Sequence, residues 1–266
     1  MLNFLCLSSS SSGNCALFSD GTTHILIDAG ISARRINLSL LTVGLSLKDI
    51  SAVFVTHSHS DHVSGLPTVM TRSDAALYCS KEAADGFLER FGFPDARTPS
   101  FLPGEHIQVG GLTVSSVRTP HDSPGSVAYT VSANGFTMAV ATDMGHLDPA
   151  VKHAVCGADM MLIEANYDPC TLKNGRYPQF LKRRILGEYG HLSNENAGVL
   201  AASAVLSGTR EICLGHLSRE NNTPELAYAA VASAITKTGA VIGRDVNLRV
   251  ADRDMASCRC ELKCPE

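Results

Sequence analysis

Four metal-competent side chains fall within six residues at the end of one strand, and this spacing constrains the chain more than any other feature. Val53, Phe54 and Val55 are β-branched or aromatic, a run that predicts the end of a buried strand. His57, His59, Asp61 and His62 follow directly. Strand alternation places His57 and His59 on one side at the strand's exit. Asp61 and His62 fall where the chain turns into a helix, with Ser60 or Asp61 the expected N-cap. One turn thus offers two imidazoles to a first cation, and a carboxylate and an imidazole to a second. Clustered imidazoles and carboxylates need partners to be tolerated, so a merely polar loop is a poor account of them.

The stretch is an H-x-H-x-D-H signature, and through it the chain resembles the metallo-β-lactamase-fold hydrolases. The resemblance implies a third His, a bridging Asp and a last His from later strand ends. The sequence offers His121 in Arg-Thr-Pro-His-Asp, Asp143 in Ala-Thr-Asp-Met-Gly and His216 in Leu-Gly-His-Leu-Ser. Each follows a strand-like run. The implied sites are His57, His59 and His121 with Asp143, and Asp61, His62 and His216 with the same Asp143. In the fold it resembles, an Asp placed like Asp28, in Leu26-Ile-Asp-Ala-Gly30, supports the metal loop by hydrogen bonding without touching metal. Two divalent ions are implied, zinc favoured by the His-rich donor set and manganese an alternative.

At 44% hydrophobic and 18% charged residues, the composition fits a globular protein with a sizeable core. No apolar run is long enough to span a membrane. The apolar start Met1–Leu7 is short and lacks basic residues, so a first strand is expected there and not a leader. Nine scattered cysteines suit a reducing cytoplasm better than a disulfide framework. Cys258, Cys260 and Cys264 near the end lack an obvious fourth ligand and read as incidental thiols. A net charge of −4 means that any nucleic-acid contact must be local.

Strands and helices alternate without a linker. Leu112–Val117, Ser126–Val131 and Phe136–Ala141 predict an antiparallel run, with Asn134-Gly135 as a hairpin turn. Lys81–Phe91 predicts a helix, and Thr223-Pro224-Glu225 an N-cap with Pro at the first helical position. Candidate ligands spread from residue 57 to 216 require one α+β domain over residues 1–266, a four-layer αβ/βα sandwich. His24, His106 and His153 lie outside any ligand motif and are expected to be surface or core residues.

Three further segments bear on substrate. The serine run Ser8–Ser12 with Gly13 and Asn14 lies between two strands; it reads either as a plain hairpin loop or as one whose hydroxyls and backbone N–H groups meet an anion, with Ser10 and Asn14 the candidates. Lys173, Arg176, Lys182, Arg183 and Arg184 occur with no acidic residue between Asp168 and Glu188, a patch suited to phosphates. Gly190-His191-Leu-Ser-Asn194 then opens a helix that Ser193 or Asn194 can cap, and His191 is placed for an anionic phosphodiester. Asn221 and Asn222 are expected to pin the His216 loop, and Glu164 to orient His191.

Phosphodiesterase members of the superfamily, such as ribonuclease Z, have a comparable His before the last ligand. The combination Ser-Gly-Asn, Glu-Ala-Asn-Tyr-Asp, Tyr177-Pro178, Gly-His-Leu-Ser-Asn and Leu217-Ser-Arg-Glu-Asn-Asn-Thr-Pro resembles the YycJ (WalJ) subfamily over nearly the whole chain. That resemblance implies a DNA exonuclease acting 5′→3′, with Asp61 and Asp143 in the metal-assisted attack by a bridging hydroxide and His191 as phosphate binder or proton donor. The interval from Asp143 to His216 is too short for the inserted domain of β-CASP nucleases. Two other readings are a small-substrate metallohydrolase (small phosphodiester, thioester or lactone) and a binding module on a degenerate scaffold. The basic window and His191 favour the nuclease, because a thioester or lactone needs neither.

Overall fold

The computed structural model describes residues 1–91 and 100–263. Two mixed sheets pack face to face, each of seven strands among the described residues. The first takes β1 (Leu2–Ser8), β2 (Cys15–Ser19), β3 (His24–Ile27), β4 (Ala52–Val55), β5 (Ala76–Ser80) and β6 (Ser100–Phe101). The second takes β7 (His106–Val109), β8 (Leu112–Arg118), β9 (Val127–Ala133), β10 (Phe136–Ala141), β11 (Met160–Glu164), β12 (Glu211–Gly215) and β13 (Asn247–Val250). A last strand, β14 (Ser257–Leu262), returns to the first sheet and pairs antiparallel with β1. Each sheet changes from antiparallel hairpins to parallel pairs part-way across: at β3 and β4 in the first, at β10 and β11 in the second.

Burial explains the composition of these strands. Ala52–Val55 is buried on both faces, so it reads as a continuous apolar run and not as an alternating one. Its Phe54 joins Phe4, Phe18, Tyr129, Val131 and Val140 in the core between the sheets. Each large side chain buried there contributes about 1.5–3 kcal/mol. Phe54 lies edge-on to Tyr129 across that core, with centroids 5.6 Å apart, and the Tyr129 hydroxyl donates to the Val55 carbonyl at 2.8 Å. Asn134 (φ 54°) and Gly135 (φ 81°) both adopt the left-handed conformation that a tight type I′ hairpin between β9 and β10 requires.

Helices cover the outer faces. On the first sheet lie α1 (Ala33–Leu41), the short α2 (Ser60–Val63), α3 (Leu66–Arg72) and α4 (Lys81–Phe91). In α1, Ser32 caps the first turn, and Ala33, Ile36 and Leu40 form the buried stripe. The second sheet carries α5 (Pro149–Val155), and two short helices, α6 (Pro169–Asn174) and α7 (Gln179–Leu186), stand at its rim. The long α8 (Asn194–Leu206) and α9 (Pro224–Thr236) complete the layer. Gly198 is required where α8 meets α9, since a Cβ there would lie 2.9 Å from that of Ala234. The expected αβ/βα sandwich is therefore the observed architecture.

Several local expectations differ from the structure. His59, whose side chain makes no capping bond, occupies the N-cap of α2, because the Asp61 carboxylate is turned toward His62 and His216 instead. The segment read as a thiol-bearing tail is β14, whose Cys258 and Cys260 are buried in the intersheet core. Cys264 lies outside the described residues. His106 and His153 are exposed and His24 half-buried, all away from the histidine cluster.

Candidate metal centre

The C-terminal ends of β3, β4, β8, β10, β11 and β12 share one edge of the sandwich, which is where parallel strands deliver loop residues. They carry, in order, Asp28, His57, His121, Asp143, Glu164 and His216. Asp28, Asp143 and His216 hold positive φ (62°, 61° and 55°), so the chain turns sharply as it leaves each strand.

All seven side chains expected as ligands are brought together. His57, His59 and His121 form one group and Asp61, His62 and His216 another, the donor atoms of each lying within 4.8 Å of one another. Asp143 stands between them: Oδ1 is 3.6 Å from His121 Nε2 and 3.4 Å from His216 Nε2, while Oδ2 is 3.3 Å from His62 Nε2. Within the groups, His59 Nδ1 is 3.2 Å from His121 Nε2, and Asp61 Oδ2 is 3.4 and 3.2 Å from Nε2 of His62 and His216. Tetrahedral ligation with bonds of about 2.0–2.1 Å separates donor atoms by about 3.3–3.4 Å. Nε2 of His57 and Oδ2 of Asp143 are buried without a hydrogen-bond partner, which costs about 1–3 kcal/mol each unless a cation meets them. The donor set fits two divalent ions.

Each ring is aimed by its other nitrogen. His62 Nδ1 lies 2.7 Å from Asp28 Oδ2, His216 Nδ1 3.0 Å from Glu164 Oε1, and His121 Nδ1 3.1 Å from the Gly190 carbonyl. His57 Nδ1 meets Thr56 Oγ1, which also donates to Asp28. Such outer contacts set the tautomer and present Nε2 inward. His59 is turned the other way, with Nδ1 inward and Nε2 3.5 Å from Asp122.

Burial holds His57, His59 and His121 below the ordinary imidazole range, so they stand as neutral donors. Burial also opposes charge on His62 and His216, but the carboxylates outweigh it: Asp28 chiefly raises His62, and Asp143 chiefly pushes His216 up to about 10. Burial would raise Asp61 and Asp143, yet His62 and His216 hold both well below the usual carboxylate range. Both stay ionised.

The centre opens into a cleft of about 320 Å³, walled by Ser11, Asn166, Tyr177, Arg184, His191 and Ser218 among others. His191 donates from Nδ1 to Glu164 Oε1 at 2.7 Å, and Glu164 Oε2 accepts from the Met144 and Leu192 backbone N–H groups. The predicted pairing of Glu164 with His191 is thus present, and the same carboxylate also serves His216. Asn222 bonds the Ala165 carbonyl and pairs with Asn194, while Asn221 holds Ser218 Oγ. Together they tie the His216 loop to the end of β11.

The expected substrate contacts divide. Of the basic window, Arg184 lines the cleft, with Asp122 bonded to its Nε at 2.5 Å. Arg183 is exposed and outside the cleft wall. Lys182 is buried, and its ammonium donates to the carbonyls of Lys173 and Gly175 at 2.8 and 2.7 Å, which removes it from any phosphate patch. Asn14 is buried behind the metal loop: its N–H donates to the Asp61 carbonyl at 2.8 Å. Ser193 is buried as the N-cap of α8 and bonds Asn196 N–H. Ser10 is buried too, and its neighbour Ser11 reaches the cleft instead. Sequence reasoning missed Thr56, Asp122 and Asn166, the last of which bonds the His216 carbonyl at 2.9 Å. The available signal was position alone: each is a polar residue within two places of a ligand or of Glu164.

Layer order and donor set together define a metal-dependent hydrolase. The chain belongs to the β-lactamase superfamily, residues 23–216 matching the model described as Beta-lactamase superfamily domain. It is similar to exodeoxyribonuclease YycJ of Bacillus anthracis, 31% identical over 255 residues that cover 96% of this chain and 97% of the relative. Exodeoxyribonuclease WalJ of Streptococcus pneumoniae serotype 2 is 30% identical over 254 residues, 94% of each chain. Among solved structures, the metallo-β-lactamase-fold protein YhfI from Bacillus subtilis superposes with a TM-score of 0.70 over 96% of this chain and 98% of that one, at 15% identity. No helix among the described residues is long and apolar enough to cross a membrane.

Proposed function

We propose that this protein is a binuclear metal-dependent phosphodiesterase that degrades DNA as a 5′→3′ exonuclease, with zinc as resident ion and manganese able to replace it. The observation that carries the reading is His191. Its ring faces the cleft beside Asp61, Asp143 and His216, and Glu164 fixes Nδ1, so Nε2 is the atom offered to a substrate. A thioester or lactone needs no such group, whereas a phosphodiester has both an anionic oxygen to bind and a leaving oxygen to protonate. Near-full-length similarity to two proteins named exodeoxyribonucleases supports DNA over RNA.

Divalent ions at such paired sites lower the pKa of water and polarise a phosphoryl oxygen. The protein's own groups do the rest. Asp143, kept ionised, orients the attacking water, and Asp61 holds its place beside His62 and His216. His191 binds the phosphate or delivers the proton from Nε2, while Arg184, paired with Asp122, stands at the cleft wall. The eight described cysteines are free thiols, which supports action in the reducing cytoplasm.

A second reading, a hydrolase of small phosphodiesters, is favoured by the modest cleft and by the engagement of Lys182 and Arg184 within the protein. One matched assay separates them. Zinc- or manganese-loaded protein is given 5′- and 3′-labelled DNA and RNA, bis-p-nitrophenyl phosphate and a thioester, with Asp61→Ala as blank. Mononucleotides lost progressively from DNA 5′ ends support the exonuclease. Turnover of small diesters alone selects the second reading.

A further inference from the structure

Behind the serine-rich loop lies a cavity of about 370 Å³ that the metal centre does not use. Ser10 and Ser12 form one wall, and Arg35, Arg219 and Arg253 converge from the others. Asp254 is the one acidic residue lining it, and Arg35 holds that carboxylate at 3.3 Å. Among the described residues, Arg219 and Arg253 pair with no carboxylate. Arg253 Nη1 is itself buried without a hydrogen-bond partner, so no described group of the protein neutralises this guanidinium.

The cavity and the catalytic cleft draw on neighbouring residues of the same two segments. Ser11 lines the cleft, while Ser10 and Ser12 line the cavity; Ser218 lines the cleft, while Arg219 lines the cavity. Adjacent Cα atoms are about 3.8 Å apart, so these two segments set the cavity and the cleft side by side.

We propose that this cavity binds the terminal 5′-phosphate of the strand being degraded while the neighbouring phosphodiester occupies the cleft. The inference rests on the nuclease reading given above. A terminal phosphomonoester carries a charge of about −1.5 to −2, against −1 for an internal diester. Guanidinium groups with planar, forked donors suit that dianion, and Arg219 and Arg253, left over once Arg35 offsets Asp254, select it. Holding the end also sets where the cut falls, which converts a general phosphodiesterase into an end-directed one.

The test uses the metal-loaded, full-length protein and three matched oligodeoxynucleotides: 5′-phosphorylated, 5′-hydroxyl, and 5′-hydroxyl with a 3′-phosphate. The wild type should prefer the first by at least about tenfold in kcat/KM, the size expected of charge-assisted hydrogen bonds. Arg219→Gln, at an exposed position, should shrink that ratio toward one, and Arg219→Glu should abolish it. Equilibrium binding of the same oligonucleotides to Asp61→Ala should show the same order. Equal kcat/KM on 5′-phosphorylated and 5′-hydroxyl strands, a preference for the 3′-phosphate, or a ratio unmoved by both Arg219 variants overturns the inference. Wild-type turnover of bis-p-nitrophenyl phosphate is recorded alongside. If that and DNA cleavage are both absent, the nuclease reading itself has failed; if both are present without end preference, only the cavity assignment has.

Discussion

Glu164 Oε1 accepts a 2.7 Å hydrogen bond from His191 Nδ1, and the carboxylate that does so is completely buried. It also orients His216, 3.0 Å away. In Glu164→Gln an amide NH₂ would replace either Oε1, facing the two imidazoles, or Oε2, facing the N–H groups of Met144 and Leu192. We expect metal affinity to fall about 10–100-fold, the usual cost of losing such an outer contact, with kcat falling as well. Competition with a chromogenic chelator measures the first and steady-state kinetics the second.

His191→Ala separates the cleft residue from the cluster. The variant should keep two ions per chain and lose about 10²–10⁴ in kcat on a phosphodiester. Elemental analysis of the purified variant is decisive: a lost ion would make His191 a ligand and remove its assigned role.

Asp28 tests the support of His62. Its φ of 62° is tolerated by Asn, so Asp28→Asn changes the hydrogen bond to His62 without straining the backbone. Metal affinity should drop about 10–100-fold while the apo fold survives. Unaltered affinity in a chelator titration would show that His62 needs no carboxylate behind it.

The metal-free protein should weaken as pH rises. His216 is pushed up to about 10 in the folded chain and His62 is raised too, against about 6.5 unfolded. The stability both confer is complete below pH 6.5, and the His216 share disappears as pH climbs through about 10. Urea midpoints in the presence of EDTA should therefore fall between pH 7 and pH 9.5. With zinc present the imidazoles are neutral ligands, and this decline should vanish.

Tyr129→Phe removes the hydroxyl that reaches from the second sheet to the Val55 carbonyl of the first. Losing this buried hydrogen bond should cost about 0.5–1.5 kcal/mol in denaturant unfolding. Metal content should be unchanged, because Tyr129 touches no ligand.

The legibility of the sequence followed how local each feature is. His57, His59, Asp61 and His62 announce themselves because one turn carries them all, and Val53–Val55 before them gives their strand. His121, Asp143 and His216 are single residues that only a resemblance could assemble. Lys182 was read as a phosphate contact because a cation's partners, here two backbone carbonyls, leave no trace in composition. The strand Ser257–Leu262 shows clean inside-outside alternation, with Cys258 and Cys260 buried and Arg259 and Glu261 exposed. Its closely spaced thiols drew attention from that period. Asp122 and Asn166 were hidden for a simpler reason, since a polar residue beside a strand end resembles any other.

One consequence concerns the two sheets. His57, His59, Asp61 and His62 leave the first, while His121, Asp143 and His216 leave the second. Ions held by both sets would act as an inorganic cross-link through the domain. At a free concentration a thousandfold above the dissociation constant, such a link adds about 4 kcal/mol to the folded state. Scarcity of metal would then do more than idle the enzyme, because the same chain would open more readily to proteases and be cleared.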